Sequence, residues 1–150
     1  QLIKENKDIS VAESCTGGKV SSLLTSVPGS SKYFKGGIIA YSNEIKINSL
    51  EVPKERIEKF GAVSREVVEE MAKKIRIKFK TSLGVASSGI AGPGGGTKDK
   101  PVGTVWIAIA DKNNVMSKKL SLTDRRDVNI TLSSISLLNI IRIFLEKYRE

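Results

Sequence analysis

The order of apolar runs along the 150 residues predicts an α/β fold: a three-layer α/β/α domain on a mixed, mostly parallel sheet of about five strands. Two observations carry that expectation. Short apolar runs alternate with segments of helical spacing through the first half of the chain, as in a sheet built by crossover connections. Two further apolar runs then sit on either side of the polar turn DKNN, which reads as a hairpin, and a last long helical pattern closes the sequence.

Each element has its own signal. The run ISVAE, Ile9 to Glu13, ends abruptly in SCTGG, and Val20, Leu23, Leu24 and Val27 after it fall at helical spacing until Pro28 and Gly29 stop the helix. Gly36 to Tyr41 (GGIIAY) reads as a buried strand. Asn43 to Leu50 reads as a short helix, and Pro53 opens another that Gly61 closes. Ser64 to Lys80 is the clearest amphipathic helix. Ser64 caps it, Glu66 and Glu69 suit its positive end, and Val67, Val68, Met71, Ile75 and Phe79 form the inward stripe. Ser82 to Ser87 and Val102 to Ala110 read as strands, with Val115 to Leu122 an antiparallel partner of the latter; Asp124 caps a final helix running to about Tyr148.

Composition narrows the function classes. Hydrophobic residues make up 39% and charged residues 27%, ordinary values for a globular domain, and one domain spans 1–150. No apolar run reaches the roughly 20 residues that cross a bilayer, and QLIKENKD lacks the apolar core of a secretory signal, so the expected address is cytoplasmic and no membrane partner is expected. The start without methionine reads as a piece of a longer chain. A single Cys15 and no histidine argue against disulfides and against a metal centre. The formal charge of +9 suggests either phosphate-bearing partners or a solvated lysine-rich surface. The lysines interleave with acidic residues and aromatics are only 5%, so a nucleic-acid partner is disfavoured, while a positive field would still draw in a small phosphorylated ligand.

The stretch from Pro28 to Lys46 gathers Ser31, Tyr41 and Lys46 around one strand. In a chain without histidine, a serine nucleophile needs another base, and lysine serves when burial or a nearby cation lowers its pKa to roughly 7–8. Two other segments could hold an anion. SGIAGPGGGTKDKPVG, residues 88–103, is richer in glycine than a simple connection needs, and glycine lets backbone amides approach a ligand. The turn Ser14, Cys15, Thr16, Gly17, Gly18 lies before a helix, where free amides favour an anion, although an ordinary strand-to-helix turn would read the same way. Cys15 reads as a small packed residue.

AESCTGG at 12–18, PGSSKYFKGG at 28–37, YSNEIK at 41–46, GAVS at 61–64, SGIAGPGGGTKDKPVGTVW at 88–106 and DR at 124–125 occur in the order of the CinA C-terminal domain family, which the chain resembles over nearly its whole length. That family includes nicotinamide mononucleotide deamidases. The resemblance implies hydrolysis of the carboxamide of nicotinamide mononucleotide to nicotinate mononucleotide and ammonia, with no metal and no cofactor. By motif position it implies Ser31 as nucleophile, Lys46 as general base and Tyr41 as proton relay or orienting group. Glu13, Thr16, Gly17, Gly18, Gly89, Ala91, Gly92 and Arg125 would line the substrate pocket. Where the family often carries a second arginine four residues after the DR arginine, this chain has Asn129, and Arg126 competes with Arg125 for the phosphate. The rival reading is a non-catalytic nucleotide-binding or protein-interaction module.

The assignment of Ser31 makes one physical demand. A strand over 36–42 separates its ends by about 20 Å, so residues 30–35 must fold back along it, the strand must be shorter, or Ser31 and Lys46 must meet across the interface of a homo-oligomer.

Overall fold

The structure, a computed structural model, describes residues 1–148. The first half runs β1 (Ile9–Glu13), α1 (Lys19–Thr25), a 3₁₀ turn (Ser30–Lys32), β2 (Phe34–Ile39), α2 (Asn43–Asn48), α3 (Lys54–Phe60) and α4 (Arg65–Phe79). Then follow β3 (Leu83–Gly89), β4 (Thr104–Ala110), β5 (Val115–Ser121) and α5 (Arg126–Lys147). The five strands stand in the order β2-β1-β3-β4-β5. β1 pairs in parallel with β2 and with β3, whereas β4 is antiparallel to both β3 and β5. The predicted three-layer domain on a five-stranded mixed sheet is therefore the observed one.

The two faces of the sheet carry different side chains because successive strand residues point to opposite sides. On one face Val11, Val85, Val105, Ile107 and Ile109 meet Val20 and Leu24 of α1 and Leu137, Ile140, Ile141, Phe144 and Leu145 of α5. On the other, Ala12, Ala86, Ala108 and Ala110 meet Val67, Val68, Met71, Ala72 and Ile75 of α4. The alanine face lets α4 lie close to the sheet. At Gly84 a Cβ would run into the carbonyl of Ala72 and the backbone of Arg76, so glycine is required there by close approach.

Local signals explain the boundaries. Ser64 Oγ accepts from Val67 N as the expected cap of α4, and Ser42 Oγ accepts from Ile45 N at the start of α2. β2 begins at Phe34, two residues before the predicted start, because Ile9 pairs with Phe34 ahead of a register shift. α5 starts differently from the expectation: Arg125 is its N-cap residue and Asp124 does not cap it. Instead the buried Asn129 accepts from Thr123 N at 2.9 Å and donates to Ala91 O at 3.0 Å, tying the helix to the loop after β3. α5 also corrects the expectation about membrane-spanning length, since by length and composition it is long and apolar enough to cross a bilayer, with a mean hydropathy of 1.7 over its most apolar window. Its apolar character comes from its place in the fold, where one side is core.

The crossover connections put β2 on one side of β1 and β3 on the other. All three strands run the same way, so their carboxyl ends meet at one rim. In open α/β sheets, ligands bind at such a rim where the chain reverses its direction of travel across the sheet.

Candidate active site

At that rim β1 delivers Ser14, β2 delivers Ala40 and Tyr41, and α2 brings back Lys46. Lys46 is 1% exposed, among the largest fully buried side chains of the domain. Its Nζ donates to Ser14 Oγ at 3.0 Å, to Ala40 O at 2.7 Å and to Tyr41 O at 3.3 Å. Burial is the main cause of the amine's fall from 10.5 to about 8. The chemistry of the three acceptors then matters. Carbonyl oxygens can only accept, so a neutral Lys46 keeps its two N–H bonds on Ala40 and Tyr41 and turns its lone pair toward the one partner with a proton to give, the Ser14 hydroxyl. The arrangement is a serine poised against a base.

Cys15, next in sequence, is not an alternative nucleophile. Burial pushes its thiol up to about 12, which leaves it protonated at neutral pH.

The turn that presents Ser14 is held by Glu13, itself 1% exposed. Its carboxylate accepts from Thr16 Oγ1 at 2.6 Å, Gly18 N at 3.0 Å, Val20 N at 3.1 Å, Ser21 N at 2.8 Å and Ser21 Oγ at 2.7 Å. Thr16 Oγ1 also shares a hydrogen bond with Ser87 Oγ of β3 at 2.7 Å. Gly17 and Gly18 have φ of 58° and 103°, left-handed values that the turn requires and that glycine supplies without strain. The anion on the amides of Gly18, Val20 and Ser21 is thus the protein's own Glu13 carboxylate.

Ser14, Cys15, Tyr41, Gly89, Ile90, Ala91, Gly92, Gly94, Gly95 and Arg126 line a cleft of about 250 Å³. Arg126 donates to Gly92 O at 2.7 Å and to Tyr41 Oη at 2.8 Å, crossing from α5 to the other side of the opening. A larger groove of about 430 Å³, walled by residues such as Leu2, Leu24, Tyr33 and Leu145, is mainly apolar and holds no nucleophile paired with a base.

Several expected roles shift. Ser31 lies exposed in the 3₁₀ turn ahead of β2, at the opposite end of that strand from Lys46, and no fold-back brings the two together. Lys46 is engaged by Ser14 instead. Tyr41 stands at the cleft rim, 56% exposed, with its hydroxyl accepting from Arg126, and it is its backbone carbonyl that accepts from Lys46. The Glu13 carboxylate, the Thr16 hydroxyl and the amides of Gly17 and Gly18 are spent within the turn, so Glu13, Gly17 and Gly18 build it and do not line the pocket, and Thr16 keeps only its backbone N–H to offer. Gly89, Ala91 and Gly92 do line it. Arg125 faces outward in an ion pair with Asp127 at 3.0 Å, and Arg126 occupies the cleft. A topological signal for Ser14 was present in the sequence. Parallel neighbours end together, so the residue after β1 meets the segment after β2, whereas Ser31 precedes β2.

A family model described as the CinA C-terminal domain matches residues 1–145. The chain belongs to that family. CinA-like proteins of Cytophaga hutchinsonii and Amoebophilus asiaticus are both 52% identical, over 141 and 143 residues, covering 94% and 95% of this chain and 34% of each relative. The chain spans about a third of the length of the curated relatives it matches. Among solved structures, the competence damage-inducible protein A of Klebsiella pneumoniae superposes with a TM-score of 0.94 at 28% identity, covering 99% of this chain and 92% of that one. The competence/damage-inducible protein CihA of Agrobacterium tumefaciens superposes at 0.87 with 35% identity, covering 94% and 90%. The three-layer CinA fold described above is the one these proteins share.

Proposed function

We propose that this domain is a metal-independent amidohydrolase that converts nicotinamide mononucleotide to nicotinate mononucleotide and ammonia, with Ser14 as nucleophile and Lys46 as general base. The observation that carries the reading is the buried Lys46 amine on Ser14 Oγ at 3.0 Å, with its pKa brought down to about 8. A buried lysine without an acidic partner costs stability, and a pure binding module gains nothing from keeping it beside a serine hydroxyl.

Neutral Lys46 takes the Ser14 proton as Oγ attacks the carboxamide carbon. The resulting ammonium then protonates the departing nitrogen, ammonia leaves, and an acyl ester remains on Ser14. Water attacks that ester with Lys46 again as base, releasing the carboxylate product. The cleft offers Arg126 as the anchor for the substrate's phosphate. A guanidinium suits a phosphate through paired N–H donors, and its present partners, a carbonyl and a phenol, are neutral groups that a dianion would displace.

The test is ammonia release from the purified domain with nicotinamide mononucleotide and with free nicotinamide. Turnover of the nucleotide that is lost in Ser14→Ala supports the assignment. Unchanged turnover in that variant rejects the nucleophile, and no turnover by the intact protein favours the binding module.

A further inference from the structure

The backbone amides of the turn after β1 can be accounted for one by one. Ser14 N donates to Ser87 O, Gly17 N to Ser14 O and Lys19 N to Thr16 O. Gly18, Val20 and Ser21 N all donate to the Glu13 carboxylate. The amides of Cys15 and Thr16 have no oxygen acceptor among the described residues, and Cys15 N–H leans only on its own thiol, a weak acceptor. Both residues are buried, at 6% and 2% exposure, and buried backbone N–H groups are almost always paired. The carbonyl that would extend the β1 and β2 ladder to Cys15 N is Ala40 O, and Lys46 Nζ holds it at 2.7 Å. The base that serves Ser14 is therefore also bonded to the ladder carbonyl beside Cys15.

We infer that Cys15 N–H and Thr16 N–H form the oxyanion hole of the Ser14 site, receiving the carboxamide oxygen as it becomes an alkoxide. The inference rests on Ser14 being the nucleophile. Cys15 N is bonded to the Ser14 carbonyl carbon, so covalent geometry keeps it within a few ångströms of Oγ. Cys15 also lines the cleft with Ser14. An amide immediately after a nucleophile is a recurrent oxyanion donor, because attack places the new charge next to it. As Ser14 Oγ bonds to the carbon, the carbonyl π pair moves onto oxygen, the two N–H groups bind it, and the serine proton sits on Lys46. Collapse returns the pair to the carbonyl and expels ammonia carrying that proton. The amides of α1 itself are taken by Glu13, so the hole belongs to the turn. Glu13 is its positioning residue: by holding Thr16 Oγ1 and Gly18 N it fixes the peptide units that carry the free donors.

The inference is tested by replacing single amides with esters. Thr16 is exchanged for its α-hydroxy acid, and Cys15 for the α-hydroxy acid of alanine with Cys15→Ala as its control. Each ester is expected to lower kcat on nicotinamide mononucleotide about 10²–10³-fold with KM little changed, as for loss of one oxyanion donor. Full kcat in both folded esters overturns it. A second measurement covers esters that fail to fold: the intact ¹⁵N-labelled protein is treated with an aryl phosphonofluoridate, whose adduct on Ser14 places a phosphoryl oxygen where the oxyanion would lie. The Cys15 and Thr16 amide protons are then expected to move downfield, and an adduct that leaves both unmoved overturns the inference. If Ser14 is neither labelled nor required for turnover, the nucleophile assignment falls and the hole with it. An enzyme that depends on Ser14 but has unmoved amides loses only the hole.

Discussion

Two serines sit near opposite ends of the same part of the sheet, and their difference lies in what surrounds them. Ser31 stands at the approach to β2, exposed in a 3₁₀ turn, with no hydrogen-bond partner for its side chain among the described residues. Ser14 leaves β1 at the other rim, 7% exposed, with a desolvated lysine on its hydroxyl. A serine hydroxyl has the same intrinsic acidity at both places, so any reactivity comes from the neighbours. Parallel strands decide which serine has them: carboxyl ends collect at one rim, and the turn that precedes β2 is at the other.

The widest separation of the two ends comes from removing each hydroxyl. Ser14→Ala is expected to lower kcat about 10⁴-fold or more, while Ser31→Ala stays within about twofold, measured by ammonia release. Equal losses would erase the contrast.

Lys46→Met tests the neighbour rather than the nucleophile. It should cost about 10²–10⁴-fold in kcat, the range for loss of a general base. The matched change at Lys32, beside Ser31, should cost nothing measurable, because Lys32 is exposed.

Glu13→Gln leaves both serines in place and loosens only the turn at one of them. An amide NH₂ would then face N–H donors that now meet a carboxylate, which costs about 2–4 kcal/mol of stability and reads as a lowered midpoint in chemical denaturation. A Glu13→Gln protein as stable as the parent would show that the carboxylate is not what holds the turn.

At the cleft, Arg126→Gln should raise KM for nicotinamide mononucleotide about 10- to 100-fold with a smaller change in kcat, whereas Arg125→Gln leaves both unchanged. The reverse result would move the phosphate anchor to the outward arginine.

The mildest probe is pH. Because Lys46 must be neutral to accept a proton and titrates near 8, kcat/KM should rise about tenfold per unit up to a pH near 8 and then level. The sign of the stability effect follows from the same shift. Between about 8 and 10.5 the unfolded lysine binds a proton that the folded one has released, so folding stability contributed at this site is lowest below 8 and rises through that window. Comparing the parent with Lys46→Met from pH 7 to 10 isolates it.

Apolar runs and apolar periodicity determined the five strands and the main helices, because both are local properties, written into short runs such as ISVAE and into the stripe Val67, Val68, Met71, Ile75. Punctuation by Ser64, Pro53 and Gly61 set helix ends to within a residue or two. The motifs likewise carried the family, and they singled out Lys46, which the structure buries. What the tertiary structure decided was which serine Lys46 meets. Ser14 is 32 residues from Lys46 and Ser31 only 15, so nearness in sequence pointed to the serine that Lys46 does not touch. The same holds for Arg126 over Arg125, where one residue of helical rotation separates a guanidinium in the cleft from one in solvent. Composition and spacing record which side chains a chain possesses and how they repeat; which of them meet depends on strand direction, and that is fixed only when the sheet closes around β1.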